Sequence, residues 1–112
     1  MKNTIRIASG QGYWGDWQEA PLLQVSSGPI DYLVMDYLAE ITMSILQKQK
    51  SRNPELGYAK DFIPLMKNLL PELIEKNVTV IANAGGVNPI ACVKVIREIA
   101  DNMGYKLSLI HI

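Results

Sequence analysis

The chain has 112 residues, 48% of them hydrophobic and 20% charged, the balance of an ordinary soluble globular protein of one domain at most. Lysine plus arginine equals aspartate plus glutamate at 11 each, so there is no electrostatic footprint for a nucleic-acid partner or an anionic membrane surface. The single cysteine, Cys92, excludes an internal disulfide and fits a reducing cytoplasm. The first residues lack the apolar core of a signal peptide, and no apolar run approaches the roughly 20 residues that span a bilayer, so a cytoplasmic protein with no membrane partner is expected.

Taken in chain order, residues 5–8 predict a first strand, which runs into a loop carrying Gly10, Gly12 and Gly15. Asp16 is placed to cap a short helix over 17–25, weakly periodic and with Pro21 near its start. Ser26-Ser27-Gly28-Pro29 is a turn. Residues 30–35 are almost continuously apolar, as a parallel strand buried on both faces is. Asp36 then opens a helix over 37–50, in which Leu38, Ile41, Ile45 and Leu46 recur at helical spacing. Its basic end (Lys48, Lys50, Arg52) suits the negative pole of a helix dipole.

After a loop over 51–57, a helical stretch over 58–76 contains Pro64 and Pro71. Pro71 lacks the amide hydrogen a helix interior needs, which predicts a kink or two shorter helices, ended by Asn77. Residues 78–82 predict the third strand. Asn88 is the expected N-cap of a helix over 90–103, with Pro89 at the first helical position, where a missing amide hydrogen costs nothing. Val93, Ile96, Ile99 and Ala100 share one face of that helix, and Gly104 stops it. A fourth strand is expected over 105–110.

Strands alternating with helices of this length predict an α/β, Rossmann-like three-layer fold with a mostly parallel sheet. Such a sheet carries helices on both faces, whereas here the sequence stops on its fourth strand and leaves an apolar edge bare. Residues 1–112 are therefore expected to be the N-terminal part of a single α/β domain. Its partners would include the remainder of a longer chain, with a homo-oligomer as the other way to cover the edge. Alone, the piece is expected to be marginal or aggregation-prone. Residues 107–112 read either as part of the strand or as a translated sequencing-adapter tail, so His111 carries no functional weight.

Three loops fall on the carboxyl side of the strands, where ligands bind in open α/β sheets. Gly10-x-Gly12-x-x-Gly15 has the spacing of a dinucleotide fingerprint, and Asp36 stands where a ribose-binding carboxylate would. Against that, Tyr13 and Trp14 put rings where a pyrophosphate should approach, and the following helix is poor. The plainer alternative is a βα loop whose aromatic pair packs over the sheet edge.

Asp36 and Glu40, four residues apart, would share a face at a helix start and could divide acid and base roles or bind a metal. Alternatively Asp36 caps the helix and Glu40 complements its positive pole. Asn83, Gly85, Gly86 and Asn88 make the third loop, either a binding loop or a turn chosen for its geometry. Cys92 lies in the first turn of the last helix, where a thiolate would be favoured; no base accompanies it, and buried packing is expected.

These loops carry a family resemblance. Gly12-Tyr-Trp-Gly-Asp16, then Gly28-Pro-Ile-Asp-Tyr-Leu33 running into Asp36-Tyr-Leu-Ala-Glu-Ile-Thr-Met43, then Gly57-Tyr-Ala59, then Val80-Ile-Ala-Asn-Ala-Gly-Gly-Val-Asn-Pro89 occur in order. Over about Ile5 to Gly104 the chain resembles the N-terminal part of the acyclic terpene utilisation (AtuA-type) family. Ser9-Gly10-Gln11 departs from the more alanine-rich run common there. The resemblance implies a piece of a longer protein. It also implies a role in bacterial catabolism of citronellol- and geraniol-type terpenes and related branched acids, carried as coenzyme A thioesters. It supplies no catalytic residues.

The leading expectation is an enzyme or enzyme subunit acting on a small carboxylate or branched acyl-CoA. Asp36 or Glu40 would handle a proton or metal. Asn83, the Gly85-Gly86 backbone and Asn88 would hold the substrate, and Gly12, Trp14, Gly15 and Asp16 would close the site. No cofactor and no particular metal is assigned. The alternatives are an NAD-type nucleotide-binding module and a non-catalytic assembly subunit.

Overall fold

A computed structural model describes residues 4–105. Its elements are β1 (Ile7–Gln11), α1 (Ala20–Ser27), β2 (Tyr32–Met35), α2 (Glu40–Arg52), α3 (Phe62–Glu75), β3 (Thr79–Ala82) and α4 (Pro89–Asn102). The three strands form one parallel sheet in the order β1-β2-β3, with Leu33 opposite Ala8 on one side and Val80 on the other. This is the expected α/β, Rossmann-like arrangement. The fourth strand expected over 105–110 lies outside the described residues, Tyr105 excepted.

Alternation along the strands sets the two faces. Leu33, Met35, Val80 and Ala82 are buried, while their neighbours Ile7 and Ile81 are 62% and 41% exposed. The buried face meets α1, which packs on β1, β2 and α3, and α3 in turn packs on α4. Val25, Phe62, Leu69, Leu73 and Ile96 complete that core. Each such side chain contributes roughly 1.5–3 kcal/mol by leaving water. Among the described residues the opposite face remains comparatively open, so two of the three expected layers are present.

Helix α3 runs unbroken through Pro71, against the expected kink or division. Pro71 lies on the exposed face, where the carbonyl it leaves unbonded one turn earlier is open to water, and the buried face of Leu65, Met66, Leu69, Leu70 and Leu73 holds the axis. Pro64 stands in the first turn, whose amide hydrogens have no intrahelical partner. The helix closes at Asn77 (φ 55°), and Val78 N donates back to Leu73 O at 2.9 Å. Helix α4 closes the same way at Gly104 (φ 83°), where Tyr105 N reaches Ala100 O at 2.8 Å. Both are Schellman endings, which satisfy carbonyls that the last turn leaves free.

Helix α2 departs most from its sequence pattern. It begins at Glu40, not directly after Asp36, and of its apolar residues only Leu46 is fully buried; Ile41 and Ile45 are 76% and 42% exposed. Leu46 rests on the turn at Gly86, and Lys50 Nζ donates to Val87 O at 3.2 Å, so α2 is moored to the third loop instead of the sheet.

Candidate functional site

The carboxyl ends of the three strands are joined by a short chain of hydrogen bonds. Asp36 N donates to Gln11 O at 2.9 Å, tying the end of β2 to the end of β1. Asn83 Nδ2 donates to Asp36 Oδ1 at 2.7 Å, and Asn83 Oδ1 accepts from Tyr37 N at 2.6 Å. One asparagine side chain after β3 thus fixes both the side chain of Asp36 and the backbone that follows it. Leu38 N adds a bond to Asp36 Oδ1 at 3.2 Å. Both side-chain bonds fall on Oδ1; among the described residues Oδ2 of this exposed carboxylate accepts none.

That bonding explains why Asp36 is not a helix cap. With Tyr37 N held by Asn83 and Leu38 N by Asp36 itself, residues 36–39 stay outside the helix; Ala39, in extended backbone, takes the N-cap position. The expected shared helical face of Asp36 and Glu40 is therefore absent. Glu40 is the first residue of α2, an exposed carboxylate at the helix's positive pole.

The first loop is built around Asp16. Its Oδ2 accepts from Gly12 N at 2.9 Å and its Oδ1 from Trp17 N at 2.7 Å. These two bonds, Gly12's first, hold the carboxyl below its ordinary range, outweighing a small effect of burial. The anion seat that a glycine loop could offer a pyrophosphate thus already holds an internal carboxylate. Gly10 belongs to β1, and a Cβ there would lie 3.0 Å from Leu33 Cδ1 and 3.1 Å from Pro21 Cβ, so this glycine permits close packing of α1 on the strand. Helix α1 starts only at Ala20, five residues after Gly15 (φ 96°). The dinucleotide geometry, a glycine turn feeding directly into a helix N-terminus, is not formed. Trp14 packs against the core and Tyr13 is 63% exposed.

The third loop divides in two. Asn83 faces Asp36. Asn88 caps α4, accepting from Ala91 N at 3.4 Å, and donates to Pro54 O and Leu56 O, both at 2.9 Å. Val87 N meets Gly57 O at 3.0 Å. Gly86 (φ 56°) sits so close to this strap that a Cβ would lie 2.7 Å from Gly57 O. Gly85 O accepts from Asn88 N at 2.9 Å. Gly85, Gly86 and Asn88 therefore set the path of the loop that carries Asn83.

Beneath the loops lies a polar pair that the sequence pattern did not reveal. Gln11 and Tyr37 are 2% and 1% exposed; Gln11 Nε2 donates to Tyr13 O at 3.1 Å, while among the described residues Gln11 Oε1 and the Tyr37 hydroxyl meet no hydrogen-bond partner. Burial raises the Tyr37 phenol well above its usual range, and the charge of Asp61 adds to that; the adjacent Gln11 side chain works the other way. The only sequence signal was a glutamine ending an apolar strand. Cys92 is fully buried, as expected, and desolvation pushes its thiol up to about 12. Among the described residues no three His, Cys, Asp or Glu side chains gather to hold a metal ion.

The family profile described as acyclic terpene utilisation family protein AtuA matches residues 5–112, nearly the whole chain. The chain belongs to that family. No curated protein and no solved structure matches it. In this AtuA-family chain the motifs Gly12–Asp16, Asp36–Met43 and Val80–Pro89 coincide with the three linked loops, and Gly57–Ala59 is the strap beneath the third. None of the helices among the described residues is long and apolar enough to cross a membrane.

Proposed function

We propose that this chain contributes the substrate site of a cytoplasmic catabolic enzyme or enzyme subunit that acts on a branched carboxylate, or its acyl-CoA thioester, derived from an acyclic terpene. The observation that carries the reading is the Asp36–Asn83 pair. A carboxylate at the end of the central strand is locked through one oxygen, and among the described residues nothing bonds the other oxygen of this exposed side chain. Such a group is placed to accept a hydrogen bond or a proton from the polar end of a substrate. Asn83 is its positioning residue: with both ends of its amide engaged, it fixes where that oxygen points.

In this reading Glu40 supplies a second carboxylate at the rim. Gly12, Trp14, Gly15 and Asp16 form one wall, and Gly85, Gly86 and Asn88 hold Asn83 in place. A nucleotide-binding role gains no support from the first loop, where the amides of Gly12 and Trp17 already serve Asp16.

A double-variant cycle tests the proposal. Asp36→Asn and Asn83→Ala are each expected to lower turnover of a branched thioester, with the double variant no worse than Asp36→Asn alone, because both act through one carboxylate. Full turnover in both single variants, with folding intact, would overturn the site.

A further inference from the structure

Gln11 ends β1 beside Met35, the last residue of β2, and its carbonyl accepts from Asp36 N at 2.9 Å. Met35 and Tyr37 are buried while Asp36 between them is exposed, the alternation of an extended chain. Gln11 is buried as well, so the two polar side chains share the interior next to the strand ends that carry Asp36. The Tyr37 ring is held edge-on against Phe62 of α3, with centroids 5.6 Å apart.

The free atoms of the pair are complementary. Gln11 Nε2 serves Tyr13 O, which leaves Oε1 as an acceptor, and the phenol has a proton to donate. Burial, with the charge of Asp61, keeps the phenol protonated, and the Gln11 side chain lies near enough to act on its ionisation. A buried donor and a buried acceptor held apart each carry the cost of lost hydration, which pairing removes.

We infer that Gln11 is a positioning residue for Asp36, taking the Tyr37 hydroxyl on its Oε1 and so closing a ring of hydrogen bonds around the strand ends. The other members of the ring are in place: Asp36 N to Gln11 O, Asn83 Nδ2 to Asp36 Oδ1, and Tyr37 N to Asn83 Oδ1. Gln11 Nε2 extends the ring to Tyr13, in the loop that Asp16 closes. Asn83 fixes the carboxylate itself, while the Gln11–Tyr37 bond fixes from within the backbone that bears it. This role rests on the reading of Asp36 given above and adds the residue that couples the first loop to it.

The test uses the full chain, and its first readout needs no substrate. Tyr37→Phe removes the hydroxyl and keeps the ring against Phe62. A bonded hydroxyl makes this variant strand Gln11 Oε1, so its urea midpoint is expected to fall. Adding Gln11→Met removes the stranded atom, and the two losses are expected not to add. A midpoint that holds or rises in Tyr37→Phe, or additive losses, would overturn the bond. The second readout is turnover of a branched acyl-CoA. Tyr37→Phe is expected to lower kcat at least about tenfold with KM unchanged, the effect of a slightly misplaced group. In the double variant kcat is expected to stay low although the midpoint recovers. A kcat that is unchanged in Tyr37→Phe, or that recovers together with the midpoint, would overturn the positioning role.

The two readings fail separately. If Asp36→Asn turns over normally while the midpoints show the bond, the site falls and the bond stands. If Asp36→Asn is inactive while Tyr37→Phe keeps both midpoint and kcat, the bond falls and the site stands.

Discussion

Asn83 holds Asp36 from the neighbouring strand end, Nδ2 to Oδ1 at 2.7 Å, and with its own oxygen takes the amide of Tyr37 at 2.6 Å. The two residues are 47 apart in sequence, and the parallel register that sets Met35 beside Ala82 brings them together. Removing the Asn83 side chain frees two donor–acceptor pairs at a partly buried site. Asn83→Ala is expected to lose about 1–3 kcal/mol of stability, read as a lower urea midpoint at unchanged m-value. A midpoint equal to that of the natural chain would mean that the bridge is not formed in solution.

Gly86 is the tightest backbone position in the loop cluster. At φ 56° a Cβ would lie 2.5 Å from Leu46 Cδ1 and 2.7 Å from Gly57 O. Gly86→Ala is expected to cost about 2–4 kcal/mol, combining an unfavourable backbone region with a clash against main chain. Leu46→Ala in the same chain should not restore stability, because the Gly57 carbonyl stays where it is. Recovery by that second change would show the side chain, not the strap, to be the obstacle.

Acid should weaken the first loop before the core. Asp16 has a carboxyl pKa lowered from its ordinary 3.8 by the amides of Gly12 and Trp17. A group depressed in the folded state contributes stability above its unfolded pKa and loses it as pH falls through the folded one. The loss therefore belongs to the window from about 3.8 downward. Asp16→Asn is expected to flatten that limb of the curve of urea midpoint against pH. An unchanged acid limb would show that the two bonds to Asp16 do not form.

Alkali acts through Cys92, whose thiol rises from an ordinary 9.0 to about 12 on burial. In the unfolded chain the thiol ionises first, so stability present below pH 9 is lost progressively toward 12. At pH 8 a disulfide reagent is expected to label Cys92 only as fast as the chain opens, and urea should speed labelling sharply. Rapid labelling of the folded protein would contradict the buried position.

Much of the fold was legible in the sequence because periodicity reports burial. The strand cores around Leu33 and Val80 and the helical face of α4 were readable from spacing alone. So were both helix stops at Asn77 and Gly104, whose residue types suit a left-handed turn. The start of α2 was not legible. Asp36 is a good cap by type, and the long-range bond from Tyr37 N to Asn83 Oδ1, with that from Leu38 N to Asp36, keeps residues 36–39 outside the helix. The continuous helix at Pro71 was hidden for the same reason, since the packing of Leu69, Leu70 and Leu73 overrides local propensity.

At the candidate site, the three loops and their residues could be picked out, but their division of labour could not. Asn83 and Asn88 look equivalent in the string; one faces a carboxylate and the other staples Pro54 and Leu56. Asp16 reads as a cap for the next helix and as part of the site's closure, and the string does not show that its carboxylate takes the amides of Gly12 and Trp17. The buried Gln11–Tyr37 pair needed three dimensions, because its members belong to different strand ends.

The central claim is that Asp36 acts on the substrate through its open oxygen. The most direct measurement is the kcat of Asp36→Asn in the full chain on a branched acyl-CoA, beside a circular-dichroism check of folding. The substitution keeps an oxygen to accept from Asn83 but removes the charge and the capacity to take a proton. A fall of roughly 100-fold or more, the usual contribution of a positioned acid or base, is the predicted result. An undiminished kcat in a folded Asp36→Asn protein would contradict the account.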